Sequence, residues 1–271
     1  MKLLNGSELA GFIKGRQAHE VRGLRQARGI NPKLAIVVTI DHPAIEVYMR
    51  MKTRYGADIL IDVETHRIAQ EDAPATIAQL NADPSVHGII VQLPLEDPTQ
   101  TDAIVNLVAP EKDVDALGKD ATLDPATPLA ILWLLAGYNV DLNGRKIVLV
   151  GRGKLVGAPL ERMLRASGYD VEVVDRKTSD MKSVVRQADV IVTATGQPGL
   201  IVSDMIKEGA VVVDAGVAGE QGKTVGDLAD DVYERDDLTI TPRKGGVGPL
   251  TICALFDNVI RAARTMSDSA S

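Results

Sequence analysis

The sequence predicts an α/β protein of two domains, and three observations support that class. The chain has 271 residues, enough for one large or two small domains at roughly 150 residues per domain. Aromatic residues make up only 3% of it, so the core falls mostly to the aliphatic residues typical of buried parallel strands and their covering helices. Short apolar runs alternate with helical patterns in both halves, as expected of parallel sheets covered by helices.

The first half of the chain predicts a helix followed by a βαβαβ unit. Apolar residues at helical intervals after Ser7 predict a helix over 7–28, ended by Gly29 and Pro32. Strands are then predicted at 34–40, 57–63 and 86–95, and helices at 43–54 and 73–81. We expect this first domain to span residues 1–120.

The second half predicts another α/β domain. Gly118 to Pro128 interrupts the periodicity with turn-forming residues, so we place the domain boundary there. The pattern that follows predicts a second domain over 125–248, with helices at 129–135, 156–166 and 181–188 and strands at 146–150, 170–175, 189–195 and 210–214. Helical spacing from Pro249 to Arg264 predicts a last helix, 249–265, that packs back on the first domain.

Composition and charge exclude several functional classes. Thirty Lys plus Arg against 37 Asp plus Glu leave a net charge of -7, which offers no general attraction for nucleic acid or an anionic membrane. No apolar run approaches the ~20 residues of a membrane helix. The single Cys253 cannot form an internal disulfide, and no secretory leader begins at Met1, so we expect a cytoplasmic protein. CxxC and HExxH patterns are absent from the sequence, and no metal is expected.

A glycine-rich loop follows the strand predicted at 146–150. Gly151, Gly153 and Gly157 lie between that strand and a predicted helix, the context that a dinucleotide-binding loop requires. Glycine lets a pyrophosphate approach the amides of the helix N-terminus, where the macrodipole favours negative charge. The GxGxxxG spacing is one residue longer than the standard fingerprint, and a tight turn without a ligand is the alternative. The second domain is therefore predicted to be a Rossmann-type dinucleotide-binding domain.

Three charged residues follow the next predicted strand. Asp175 lies roughly twenty residues after the glycines, where an acid commonly binds the ribose hydroxyls of NAD. Arg176 and Lys177 come directly after it and are suited to the 2′-phosphate of NADP. A solvated turn of mixed charge is equally compatible with these residues. The residues alone leave the choice between NAD and NADP open.

Tyr48 and Lys52 stand four residues apart on the helix predicted to begin at Pro43, so both project from one face. If that face borders a cleft, partial burial would lower the lysine pKa and make the amine useful in proton transfer, with the tyrosine orienting substrate. An amphipathic surface helix with a snorkelling lysine is the alternative.

Five motifs along nearly the whole chain now fall into one order. They read YMRMK at 48–52, VQLPL at 91–95, KDVD at 112–115, GRGKLVGAP at 151–159 and GGVGPLT at 245–251. Together they resemble the bifunctional methylenetetrahydrofolate dehydrogenase/methenyltetrahydrofolate cyclohydrolase family. The resemblance implies oxidation of 5,10-methylenetetrahydrofolate with a nicotinamide cofactor, usually NADP, followed by hydrolysis of the methenyl product to 10-formyltetrahydrofolate in one-carbon metabolism.

The resemblance also implies roles for individual residues, in one cleft between the two domains. Lys52 would be the catalytic lysine, with Tyr48 beside it, Gln92 hydrogen-bonded to it and Asp115 on the pterin ring. The substrate-binding residues implied are Tyr48, Lys52, Gln92, Leu93, Asp115, Gly246, Val247 and Pro249. The cofactor-binding residues implied are Gly151, Arg152, Gly153, Val156, Gly157, Pro159, Asp175, Arg176, Lys177, Thr195 and Gly196. A homodimer, formed through the second domain, is also implied.

Plainer interpretations of the same residues remain open. Asp113 and Asp115 also fit loop acids with Lys112 as their surface counter-charge, and Gln92 fits a hydrogen-bonding strand terminus. The loop 115–125 is shorter than in the family. Residues that differ from the family's usual ones are Ile45, Ala116, Ala126, Gly153, Asp175, Arg176, Arg243 and Lys244.

Three other functions are compatible with part of these features. One is a folate dehydrogenase without the hydrolytic step, because the changed loop would misplace water. The second is a shikimate-type dehydrogenase, which also combines a lysine-bearing substrate domain with a Rossmann domain but leaves the Gln92 and 245–251 motifs unexplained. The third is a catalytically inactive dinucleotide-binding regulator, against which the intact Tyr48, Lys52, Gln92 and Asp115 argue.

Overall fold

A computed structural model describes residues 1–220 and 223–270 as eleven strands and eight α-helices. The strands are β1 (Lys2–Leu3), β2 (Lys33–Val38), β3 (Asp62–Arg67), β4 (Gly88–Val91), β5 (Ile147–Val150), β6 (Val171–Val174), β7 (Val190–Thr193), β8 (Val211–Asp214), β9 (Ala218–Glu220), β10 (Lys223–Val225) and β11 (Thr239–Ile240). The helices are α1 (Gly6–Arg28), α2 (Pro43–Asp58), α3 (Ala73–Ala82), α4 (Thr101–Val105), α5 (Ala126–Gly137), α6 (Gly157–Ala166), α7 (Met181–Val185) and α8 (Val247–Ala270).

The chain forms two compact units, which we name after their sheets. The three-stranded unit comprises Gly11–Ala126 and Ile252–Ser271, and the six-stranded unit comprises Met1–Ala10 and Thr127–Thr251. Both sheets are parallel. Helices α2 and α3 connect the strands of the first, and α6 and α7 connect β5, β6 and β7 of the second. The protein is thus a two-domain α/β fold, as the alternation of apolar runs and helical patterns predicts. The assignment of folate binding to one domain and cofactor binding to the other stays a prediction.

The three-stranded unit is built around β2, which lies between β3 and β4 in the order β3-β2-β4. One face of β2 packs in a core cluster with α3, where Ala35 and Val37 lie with Ile77 and Leu80. The part of α8 from Ile252 onwards belongs to this unit.

The second strand of this unit is not where the sequence predicts it. Residues 57–58 end α2, and β3 begins only at Asp62. Ile59 and Ile61 are buried at the turn after the helix rather than in a strand, and Leu60 between them has a positive φ of 66°. β3 itself reads DVETHR and is mostly solvent-exposed, because it lies at the edge of the sheet. A polar edge strand shows no apolar run, and the prediction at 57–63 was therefore wrong.

The six-stranded sheet has the order β1-β11-β8-β7-β5-β6. Its core cluster includes Val148, Ile191, Val212 and Ile240, which are fully buried. The two-residue strands β1 and β11 are too short to give a periodic signal. Because β1 pairs with β11, Met1–Ala10 join this unit, whereas the sequence predicts that they belong to the first domain. An antiparallel hairpin of β9 and β10 was also not predicted.

No helix within residues 1–220 and 223–270 is both long and apolar enough to cross a membrane.

Candidate active site

Lys52 and Gln92 meet in the three-stranded unit. Gln92 follows β4, and its backbone N–H continues the ladder by donating to the carbonyl of Val37 at 2.9 Å. The Gln92 side-chain Nε2 donates to the carbonyl of Leu93 at 2.9 Å, which leaves Oε1 as the acceptor. Lys52, on α2, donates to that Oε1 from Nζ at 2.8 Å. The carboxamide is therefore fixed at one end by the backbone and orients the amine at the other.

Asp115 completes this group electrostatically. Burial lowers the pKa of Lys52, and the nearby charge of Asp115 opposes that shift by raising it. Burial likewise raises the pKa of Asp115, and the charge of Lys52 opposes that shift. In each case desolvation is the larger cause and favours the neutral form. An amine with a lowered pKa releases its proton more readily than an ordinary lysine and is better suited to act as a proton acceptor.

The KDVD motif presents Asp115 by committing its other residues to the fold. Lys112 is only 3% exposed, and its Nζ donates to the carbonyls of Leu80, Asn81 and Asp83 at 3.1, 2.9 and 2.6 Å at the end of α3. The alternative interpretation of Lys112 as a surface counter-charge therefore does not fit. The ammonium instead caps a helix C-terminus, where backbone carbonyls lack partners within the helix.

Asp113 and Val114 are held as firmly. The N–H of Gly118 donates to Oδ2 of Asp113 at 2.8 Å, which closes the turn after the motif. The buried Asn258 of α8 donates from Nδ2 to the carbonyl of Val114 at 2.9 Å and to that of Asp124 at 2.8 Å. Ala116, where the resembled family has glycine, adopts a positive φ of 53° in this turn. A β-carbon costs energy in that conformation, which glycine adopts more readily.

We predict that K112M lowers the free energy of unfolding by about 2 kcal/mol or more, because it leaves helix-terminal carbonyls buried without a donor. The exposed Lys119 supplies the control, since K119M removes the same charge at a site that is largely in solvent. Urea unfolding of both variants measures the difference. Equal stability of K112M and K119M would show that the cap contributes nothing.

Tyr48 lies one helical turn before Lys52 and is 46% exposed. Val47 and Met51 on the same helix are also exposed, whereas Ile45 is buried. The phenol is accordingly accessible to a ligand, and its predicted role beside Lys52 stays a prediction. The alternative of a freely snorkelling Lys52 does not fit, because its amine donates to Gln92 and has a pKa lowered by burial.

The glycine loop of the six-stranded unit is shaped by close backbone approaches. A β-carbon on Gly157, the first residue of α6, would lie 2.2 Å from the carbonyl oxygen of Gly151. Gly151 has a φ of 101°, and a β-carbon there would lie 2.8 Å from the carbonyl oxygen of Ala194. At Gly153 a β-carbon would meet no atom within 4 Å. The first and third glycines are therefore required by the fold, while the second borders open space.

The other predicted cofactor residues lie at the carboxyl ends of β6 and β7, the two strands that flank β5 in the same sheet. Asp175 to Lys177 follow β6, and Thr195 and Gly196 follow β7. The Oδ1 of Asp175 accepts from the backbone N–H of Lys177 at 2.8 Å. In the amide orientation that satisfies both groups, Oε1 of Gln197 accepts from Nη2 and Nε of Arg176 at 3.1 and 3.2 Å. Nucleotides bind at this edge of parallel sheets, so the arrangement fits a dinucleotide.

Arg152 and the residues before α8 complete the set. Arg152 pairs with Glu161 at 2.9 Å, and Val156 and Pro159 flank the start of α6. Gly246, Val247 and Pro249 stand in the six-stranded unit at the start of α8, where the carbonyl of Gly245 accepts from the N–H of Ser7 at 2.9 Å. Among the predicted site residues, the structure groups Lys52, Gln92 and Asp115 in one unit and the glycine loop, 175–177 and 195–196 in the other.

No group of His, Cys, Asp and Glu within the described parts of the chain is arranged to hold a metal ion. Sequence reasoning missed two residues that support the sites, Asn258 and Asp227. It also missed the capping role of Lys112.

The fold and these two groups of residues define the class of the protein, a two-domain α/β oxidoreductase with a Rossmann-type NAD(P)-binding domain. Comparison with family models gives the particular family. The model described as "Tetrahydrofolate dehydrogenase/cyclohydrolase, NAD(P)-binding domain" matches residues 125–267, and the model of the catalytic domain of that family matches residues 4–115. The chain therefore belongs to the tetrahydrofolate dehydrogenase/cyclohydrolase family.

Individual relatives cover the whole chain. The "Bifunctional protein FolD" of Moorella thermoacetica is 40% identical over 278 residues, 97% of this chain and 99% of its own. The crystal structure of the bifunctional FolD enzyme from Campylobacter jejuni superposes with a TM-score of 0.91 at 36% identity, covering 98% and 99% of the two chains. The FolD of Trypanosoma brucei, solved with NADP and an inhibitor, gives a TM-score of 0.90 at 29% identity, with 97% of each chain covered.

The shikimate-type alternative is not supported by these comparisons. Shikimate 5-dehydrogenase of Thermus thermophilus gives a TM-score of 0.52 at 15% identity, over 86% of this chain and 99% of its own. That likeness concerns the fold alone.

Proposed function

We propose that this chain oxidises 5,10-methylenetetrahydrofolate with a nicotinamide cofactor and hydrolyses the 5,10-methenyl product to 10-formyltetrahydrofolate. The observation that carries the proposal is the 2.8 Å hydrogen bond from Lys52 Nζ to Gln92 Oε1, beside Asp115, in a chain of this family. A lysine in that environment can act as a general acid–base group that accepts and donates a proton. The shared cleft between the two domains stays a prediction of the sequence.

In the hydrolytic step, the methenyl carbon is already electrophilic and needs mainly a positioned water and an acceptor for its proton. The water oxygen bonds to that carbon, and one proton passes to the neutral amine of Lys52. The amine then returns that proton to N5 as the bond between N5 and the carbon breaks, and the remaining hydroxyl proton passes to solvent as the formyl C=O bond forms. Gln92 keeps the lone pair of the amine directed, because it holds an N–H of Lys52 in a hydrogen bond. Asp115 accepts hydrogen bonds from the pterin ring.

In the oxidation, a bound NAD(P) would supply the acceptor for the hydride of the methylene group. The chain would contribute the binding site: the backbone amides at the start of α6 would hold the phosphates, and the residues after β6 would hold the adenosine ribose. We propose NADP as the cofactor, because Arg176 and Lys177 supply two cations at the position where a 2′-phosphate would lie. Asp175 is partly occupied by the Lys177 N–H.

Side-by-side assays with NAD and NADP on methylenetetrahydrofolate test substrate and cofactor together. We expect reduced nicotinamide to form when methylenetetrahydrofolate and either cofactor are present. We expect a higher kcat/KM for NADP than for NAD. Loss of the absorbance of methenyltetrahydrofolate, added alone, tests the hydrolysis. Reduction of the cofactor without accelerated hydrolysis would identify a dehydrogenase-only enzyme. The absence of both reactions would identify a binding protein without catalysis.

We predict that D115N moves the ascending limb of the pH profile of hydrolysis to lower pH. Hydrolysis that needs the neutral amine rises with pH through the pKa of Lys52, and the charge of Asp115 raises that pKa. Removing the charge therefore lowers the pKa, while the KM for the folate rises because a pterin contact is lost. D120N removes an equal charge from an exposed site and should leave the profile in place. A shift to higher pH in D115N would contradict this electrostatic account.

The proposal also includes a homodimer in the cytoplasm. The family resemblance supports it. Sedimentation equilibrium of the purified protein measures the oligomeric state.

A further inference from the structure

Asp227 is a completely buried carboxylate in the six-stranded unit. It accepts from the hydroxyl of Thr193, the last residue of β7. It also accepts from the backbone N–H of Thr195 at 2.7 Å and from that of Gln197 at 2.9 Å. A buried carboxylate thus satisfies three donors from one five-residue segment, and it is supplied by a residue about thirty positions away in the chain.

The carboxylate itself has little room to move. A β-carbon on Gly216 would lie 2.1 Å from Oδ1 of Asp227, so the backbone of that residue packs directly against it. The backbone N–H of Asp227 donates to Oδ1 of Asp214 at 3.1 Å, and that of Leu228 donates to Oδ2 at 3.2 Å. Asp214, at the end of β8, therefore anchors the backbone of Asp227 and Leu228. From this position the carboxylate of Asp227 reaches the segment after β7.

The segment 195–197 connects the phosphate loop with the residues after β6. A β-carbon on Gly151 would lie 2.8 Å from the carbonyl of Ala194 and 3.0 Å from the Cγ2 of Thr195, so the two loops are in contact. On the other side, the carboxamide of Gln197, in the amide orientation that satisfies both groups, accepts from the Arg176 guanidinium. Asp227 thus contacts the phosphate loop only through Thr195, and it contacts Arg176 only through Gln197.

We infer that Asp227 is a positioning residue for the dinucleotide, which fixes segment 195–197 and, through Gln197, the orientation of Arg176. The inference rests on the proposed function for the identity of the ligand. A loop that is already ordered in the free protein does not lose conformational freedom when the cofactor binds. Asp227 therefore raises affinity for the cofactor without touching it.

The test compares D227N with D189N by titrating each folded protein with NADP in a calorimeter. In D227N an amide nitrogen replaces one oxygen and faces a backbone N–H or the Thr193 hydroxyl, so at least one bond to the segment is lost. Asp189 is a matched control at the other end of β7, since its Oδ2 accepts from the backbone N–H of Lys146 at 2.7 Å. Circular dichroism melting of both variants verifies folding.

We expect the Kd for NADP to rise at least tenfold in D227N and to stay within twofold in D189N. Q197A, at a partly exposed side chain, should raise the Kd about threefold and decides the question if D227N does not fold. An unchanged Kd in the folded D227N, an equal rise in D189N, or an unchanged Kd in Q197A where D227N does not fold would overturn the inference.

Failure of the proposed function would be visible separately. Wild-type protein that binds NADP but catalyses neither folate reaction would refute the proposed activity, while the comparison of Kd values would still decide the role of Asp227. Wild-type protein that binds neither NADP nor NAD would refute both. Hydrolysis of methenyltetrahydrofolate needs no nicotinamide, so its rate should fall much less in D227N than the affinity for NADP.

Discussion

K52M is expected to lower the rate of methenyltetrahydrofolate hydrolysis by at least about 100-fold, the lower range for loss of a general acid–base group. Methionine has a similar length to lysine but cannot exchange a proton or donate to Gln92. NADP affinity should stay within twofold, because the proposed nucleotide site belongs to the six-stranded unit. Stopped-flow decay of the methenyl absorbance and a calorimetric titration with NADP measure the two quantities.

K119M is the control for this prediction, since Lys119 is an exposed lysine of the same unit. It should hydrolyse at the wild-type rate. Hydrolysis by K52M within fivefold of wild type would show that the amine is not catalytic. Equal loss of hydrolysis and NADP binding would instead assign Lys52 a structural role.

G157A is expected to weaken NADP binding at least tenfold. Its methyl group would lie 2.2 Å from the carbonyl oxygen and 2.9 Å from the carbonyl carbon of Gly151. Both contacts are with backbone, so the loop itself must move away from α6, at a cost of about 1–3 kcal/mol for overpacking. The displaced loop would then no longer direct the amides of α6 at the cofactor phosphates.

G153A is the matched variant, because its methyl group meets no atom of the protein within 4 Å. It should fold with wild-type stability, and any loss of NADP affinity in G153A would report contact with the ligand itself. Hydrolysis should persist in both variants. Wild-type affinity in G157A would contradict the proposed role of the loop.

The candidate site residues could be predicted from the sequence because they lie in short motifs. Lys52 and Tyr48 share a helix face, and the glycines at 151 and 157 flank one strand-to-helix turn. Such local signals survive without knowledge of the tertiary fold. The same local logic failed at β3, where the apolar residues at 59 and 61 belong to a turn and the strand itself is a polar edge.

Residues that act over long separations were beyond sequence reasoning. Lysine usually lies at the protein surface, yet Lys112 caps a helix that ends thirty positions earlier in the chain. In the sequence, Asp227 cannot be distinguished from other acidic loop residues, and only the fold places it against the segment after β7. Asn258 likewise reaches the KDVD motif from the last helix. Partners this distant are determined by topology, and no periodicity or spacing in the sequence encodes them.

The central claim is that burial beside Gln92 and Asp115 keeps the amine of Lys52 available for proton transfer. Titration of the lysine side chains by ¹³C NMR, with the Lys52 signal assigned by its loss in K52M, measures its pKa directly. We predict a midpoint below the ordinary lysine value of about 10.4, and a further decrease in D115N. A midpoint at or above that value would mean that the amine is solvated or firmly ionised, and would contradict the mechanism.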